Sequence, residues 1–367
     1  MEQQVGWAVH SPITVPWRTV RTHEELYKAL EDTVPRRVRI HPSVKLLRLT
    51  RDAYVTHGDL LFNAAGCNLW GFGLMFDGTD NVIVEELRGG PATRNFPSRE
   101  VDGVHYPEPC PGQPKTPGDV LSLIGVKNFT CRYSDLFWSA DEIVSSENPK
   151  PSSGVTLLGV MLREPAPTFS EDWYWFHETH ARVAQFSRGT TRVAIVNCIL
   201  HNGERRMPQF SGPGEFVLYD SWVSSWHDRA LQVDGGAQVY VDHTAFLNGR
   251  TPHGIIFEDR APAGTACYIG PGVDFQQPAG ITNKGIDCRV EKPPFALPPL
   301  PAAARSIYTV GPTNLNDEES RVLDEVLEGY DGDLRYDLGE NRMDCTTGLG
   351  SLEPPREPQR GGPTWLR

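Results

Sequence analysis

Four arginines crowd the middle of this chain: Arg182, Arg188, Arg205 and Arg206. Guanidinium groups so placed could hold an anionic substrate, because arginine stays protonated and offers a planar fork of donors that fits a carboxylate. Just before them, residues 164–179 carry Trp173, Tyr174, Trp175 and Phe176, followed by His177 and, one residue beyond that stretch, His180. Four adjacent aromatic residues cannot all face one core from a strand, since successive side chains point to opposite faces. They either stack on a sugar ring or another flat ligand or pack the loop against the fold, and the residues leave both readings open. His227, between Trp226 and Asp228, is a further candidate acid or base, because histidine titrates near neutral pH. No glycine-rich phosphate loop, zinc-ligand pattern or serine–histidine–aspartate order stands out.

The formal net charge of −12 disfavours nucleic acid as a partner, since a phosphate backbone needs a basic patch and no basic run is present. A local cluster of arginines can still outvote that average. Hydrophobic content of 39% with 22% charged residues is ordinary for a globular protein, and no segment approaches a membrane span. The seven cysteines include no C-x-x-C pair, and an odd count cannot be fully paired within one chain. Cys131 and Cys198, in predicted strands, read as small buried residues. The first residues lack the basic and apolar regions of a signal peptide, so the expected site of action is inside the cell unless a leader has been removed.

The elements that must position these residues are short strands. Val82–Val84, Asn128–Thr130, Val155–Leu157, Val193–Ile195, Phe216–Leu218 and Val239–Val241 have strand composition. Phe129 to Val155 is 26 residues, Val193 to Val217 is 24 and Val217 to Val239 is 22, while Val155 to Val193 is 38, one turn carrying an inserted loop. A polar or small residue and a second apolar pair follow several of these strands. That order at a fixed interval, without helix patterns between, predicts an all-β parallel solenoid rather than a sandwich, whose hairpin loops vary in length. Thr22-His-Glu-Glu25 is a capping box opening a short amphipathic helix with Leu26, Ala29 and Leu30, placed to close the N-terminal end. Residues 89–118 read as a long loop, and 259–305 as a proline-rich wrap. A helix is expected at 316–329. The domains predicted are a solenoid over 1–310 and a C-terminal helix and tail over 311–367.

The block 197–212, with Phe216 to Val223, Ala230 and Ala237 to Asn248, resembles the pectate lyase/pectin lyase family. So do residues 66–87 and 118–142; the resemblance covers about 18–248 and fades beyond. It implies a right-handed, single-stranded parallel β-helix with an N-terminal capping helix. It also implies β-elimination on a uronate: removal of a proton α to a carboxylate whose charge calcium or arginines neutralise. Arg206 then matches the arginine assigned as base; read without the resemblance, it is a substrate-binding cation or a surface salt bridge. His180 and Arg182 match a His-x-Lys element, with arginine in place of the substrate-binding lysine. The arginine due five residues after Arg206 falls on Ser211. Asp119 and Asp141 match calcium-ligand positions, the next falls on Ser145, and Glu142 compensates only if the chain turns it to the side of Asp141. Asp141 reads otherwise as a turn residue. Expected substrate contacts are His180, Arg205, Trp173, Trp175 and His227. Asn197, Asn202 and His243 are expected to stack between turns.

Three functions fit. The first is a polysaccharide lyase-like enzyme on an acidic carbohydrate, with Arg206 as base, Arg182 orienting the carboxylate, and Ca2+ as cofactor if the ligand set completes. The departures from the family pattern suggest the second, a small-molecule lyase, isomerase or cyclase on the same scaffold. The third is a carbohydrate-binding solenoid without catalysis.

Overall fold

The computed structural model describes residues 4–89, 99–101, 104–106, 118–137, 139, 141–146, 150–163, 165, 182–187, 189–257, 264–276, 279–282, 287–289 and 292–301. Through them the chain winds a right-handed parallel β-helix of nine three-strand turns, stacked into sheets of eleven, nine and nine strands. Each turn visits the eleven-stranded first sheet, then the second sheet, then the third. Every strand of these sheets pairs in parallel with the equivalent strand one turn away, so Val155 lies between Phe129 and Val193. The six predicted strands are consecutive members of the first sheet, from Asp80–Glu85 to Ala237–Asp242. Winding continues past the fading of the resemblance, to the strand Asp287–Arg289. Within the stretch expected to be loop, Arg99–Val101 and Val104–Tyr106 form an antiparallel ribbon.

The polar residue between the first two strands of a turn makes the corner. Tyr133, Asn197, Asp220 and His243 all have φ between 48° and 54° at this position. The next side chain secures the corner by donating to the carbonyl two residues back: Ser134 to Arg132 O at 2.9 Å, Ser221 to Tyr219 O at 2.8 Å, Thr244 to Asp242 O at 3.0 Å. Cys198 does the same with its thiol, 3.2 Å from Val196 O, so it lies in the corner rather than the strand. Asn197 and His243 are therefore equivalent corner residues, and Asn202, with φ 54°, marks the next corner.

The interior is largely apolar, with stacked rings such as Phe186–Phe210 and Phe210–Phe216, whose centroids lie 5.9 and 4.6 Å apart. The helix His23–Leu30 covers the first turns with Leu26, Ala29 and Leu30 buried. Thr22 Oγ1 caps it by accepting from Glu25 N at 3.2 Å, while the Glu25 carboxylate accepts from Arg21 N. Along the outside of the first sheet, residues 4–11 form a strap: Ala8 N donates to Thr156 Oγ1, His10 bonds Asn81 and Thr130, and Gly6 N donates to Pro299 O. Trp7 and Phe295 meet over Val196, Val217 and Tyr240. No helix among the described residues is long and apolar enough to cross a membrane. The boundary drawn at 310 and the helix expected at 316–329 lie outside the described residues.

Candidate functional site

The candidate residues gather on the third sheet. Its strands Leu121–Ile124, Glu142–Ser146, Arg182–Phe186, Gln209–Ser211 and Leu231–Asp234 lie side by side. Leu121, Val144 and Ala184 face the core, and alternation turns the residues after them away from it. The outward column thus reads Ser122, Ser145, Gln185, Gln209, Gln232. At the N-terminal end of the same strands, Glu142 is in register with Arg182, and Arg182 with Arg205.

Arg206 owes its placement to a bulge. Arg182 pairs with Arg205 and Gln185 with Gln209, so Val183 and Ala184 stand opposite Arg206, Met207 and Pro208. The extra residue is absorbed with Arg206 at φ 59°, and a bulge of this kind re-aims a side chain. Gln232 Oε1 holds the Arg206 backbone N–H at 3.0 Å. The Arg206 guanidinium donates through Nη1 to Glu142 Oε1 and to Gln185 Oε1.

Asp119, Asp141 and Glu142 each bring a carboxylate oxygen within 4.8 Å of the other two, a group able to hold a metal ion. Asp141 lies in the bend before the strand that Glu142 begins, so two consecutive residues reach one point despite strand alternation. Asp119 Oδ2 accepts from Ser122 Oγ at 2.8 Å and from Ser145 Oγ. Gly73 supports it from the preceding turn: a Cβ there would come within 2.0 Å of Asp119 O, a closeness only glycine permits. Two oxygens, Asp119 Oδ1 and Glu142 Oε2, are buried and accept no hydrogen bond, which fits a site made for a cation. Burial, then Asp141, pushes the Glu142 carboxyl up to about 7, and burial followed by the charges of Asp141 and Glu142 raises Asp119 well above the ordinary range. Arg182 Nη1 stands 3.7 Å from Glu142 Oε1 and 4.0 Å from Asp141 Oδ1, and burial, then Arg206, lowers its guanidinium to about 10.

The structure thus brings together six of the residues singled out in the sequence: Arg182, Arg205, Arg206, Asp119, Asp141 and Glu142. His227 lies one turn further on, with its backbone N–H on Gly203 O. Trp173, Trp175, His180 and Arg188 are outside the described residues. Sequence reasoning missed Gln185 and Gln232, the two amides that hold Arg206. Their signal is a glutamine recurring at 185, 209 and 232, intervals of 24 and 23 residues that follow the solenoid period.

Comparison with solved structures finds the same architecture in pectate lyases. One from a Bacillus species, solved in complex with trigalacturonate, superposes with a TM-score of 0.54 at 10% identity, over 88% of this chain and 98% of that one. A Paenibacillus pectate lyase gives 0.54 at 10% identity, covering 81% and 88%. An arginine-to-lysine variant of Bacillus subtilis pectate lyase gives 0.52 at 11%, covering 88% and 95%. The chain has a pectate lyase-like fold. At these identities the likeness is one of architecture. No family model matches the sequence, and no curated protein matches it.

Proposed function

We propose that this protein is a polysaccharide lyase-like enzyme that breaks an acidic carbohydrate by β-elimination at the third sheet. The observation that carries this reading is the convergence of Arg182 and Arg206 on a buried carboxylate trio at one end of a polar strand row, with Arg205 in register beside Arg182. An anionic sugar needs concentrated positive charge, and these arginines supply it in a chain whose average charge is negative. Arg182 and Arg205 bind and orient the uronate carboxylate. Arg206, aimed outward by the bulge and acting in its neutral form, takes the proton α to that carboxylate; the C–O bond β to it then breaks, its electron pair leaves with the glycosidic oxygen, which takes a proton from solvent, and an unsaturated uronate remains at the new end. Asp119, Asp141 and Glu142 would hold calcium, which when bound supplies further positive charge to the substrate carboxylate.

The test is ultraviolet absorbance of unsaturated product from pectate, methylated pectin and alginate, with and without calcium. A rise is expected, cut by about 100-fold or more in Arg206→Ala, the scale of losing a general base. Absence of product from every polymer would reject the polymer reading. The near-complete burial of Glu142, Arg182, Gln185 and Gln232 favours a second one, elimination or isomerisation of a small acidic ligand in an enclosed pocket. Turnover of trigalacturonate without turnover of polymer would select it.

A further inference from the structure

We infer that Arg206 is the built-in counterion of the carboxylate trio, and that a divalent cation taking Glu142 releases this arginine toward substrate. Glu142 Oε1 is the atom at issue. It accepts from Arg206 and faces Arg182 at 3.7 Å, while the neighbouring Glu142 Oε2 and Asp119 Oδ1 accept nothing. Asp119 is only 4% exposed and Glu142 fully buried, so these oxygens cannot turn to bulk water. Their charge must be met from within the protein or by an ion.

Charge decides which arginine yields. With the trio ionised, Arg182 and Arg206 leave it one negative charge. A divalent cation added to both would leave one positive charge in a buried site, whereas a cation that displaces a single arginine leaves none. Arg182 has the more deeply buried side chain, 5% exposed against 18% for Arg206, and it starts inside a strand, so it stays. Arg206 sits on a bulge at the outer edge, held to the neighbouring coils by Glu142, by Gln185 and through its backbone by Gln232. Losing Glu142 frees the guanidinium without moving the main chain. The released guanidinium then faces the acidic carbohydrate whose carboxylate Arg182 and Arg205 hold, so cation and acidic carbohydrate bind with positive, reciprocal coupling. This second step rests on the function proposed above; the competition between cation and arginine does not.

Calorimetric titration of the full chain with calcium chloride alone tests the competition. Arg206→Met is expected to bind calcium about tenfold or more tightly than the unaltered protein, within the range of coupling between sites. Arg205→Met removes the same charge without touching Glu142 and should tighten binding far less. Should Arg206→Met not fold, Gln185→Leu, which removes the other side-chain anchor of Arg206, is expected to tighten calcium binding in its place. Equal affinities for the Arg206 and Arg205 variants would overturn the inference, as would an absence of calcium binding by all of them. In a second titration, calcium should raise affinity for trigalacturonate about tenfold in the unaltered protein and have little effect in Arg206→Met. Release of unsaturated product is scored separately, so a failed lyase reading and a failed switch give different patterns.

Discussion

His201 holds a proton-sensitive ring where a charge has nowhere to go. It is buried on the second sheet, Nδ1 2.8 Å from Ser224 Oγ, and burial with nearby Arg163 pushes its pKa down to about 4. Arg163 is itself committed, its guanidinium forked onto Asp135 at 2.9 and 3.0 Å and lying over the Phe137 ring. Between pH 6.5 and about 4 the unfolded chain binds a proton on His201 that the folded chain refuses. Stability therefore falls as pH drops through that window, by about 3 kcal/mol for the shift cited. Urea unfolding at pH 7 and pH 4 should show His201→Gln losing about that much less stability than the unaltered protein across the interval. The sequence offered no sign of this, since a histidine's burial depends on what the next turns lay beside it. Arg182 and Arg206 were legible as cations by type alone. Their partners were not, because Glu142 and Gln185 stand 64 and 21 residues from Arg206 in the chain and meet it only through register.

At the scale of elements, legibility followed apolar content. Strands of the first sheet carry runs such as Val-Ala-Ile that announce themselves, and several corners between first and second strands show a polar residue followed by a back-bonding hydroxyl, as at Tyr133-Ser134, Asp220-Ser221 and His243-Thr244. The third sheet was hidden. Its outward residues are Ser122, Ser145, Gln185, Gln209 and Gln232, poor strand formers that mark a functional surface rather than a core. The bulge at Arg206 was equally silent, since one surplus residue changes no composition. The capping helix was legible in full, as Thr22 and Glu25 are neighbours in sequence. Thr22→Ala should cost about 1 kcal/mol, seen as a lower melting temperature with unchanged secondary structure, because it strips one bond from the helix start.

For the whole molecule, the period in the low twenties was enough to give the solenoid, because each turn repeats the same three-strand course and buries its apolar side against its neighbours. The extent of the winding was not, since the last turns, through Ala266–Ile269 and Asp287–Arg289, lie among prolines and glycines that read as loop. Phe210, stacked between Phe186 and Phe216, shows how the turns depend on one another. Phe210→Ala should lower unfolding free energy by about 3–5 kcal/mol in a denaturant titration, since the ring is fully buried and the cavity it leaves adjoins rings of other strands. A stack of turns is otherwise a one-dimensional object, each layer answerable only to the next. The strap breaks that locality, because Gly6 precedes its bonding partner Pro299 by 293 residues. A ribosome can release turn after turn already wound, yet the seam over Val196, Val217 and Tyr240 closes only once Phe295 has been made and Trp7 meets it. A chain cut short of residue 295 would therefore leave the apolar side chains of Val196, Val217 and Tyr240 without the ring of Phe295 over them.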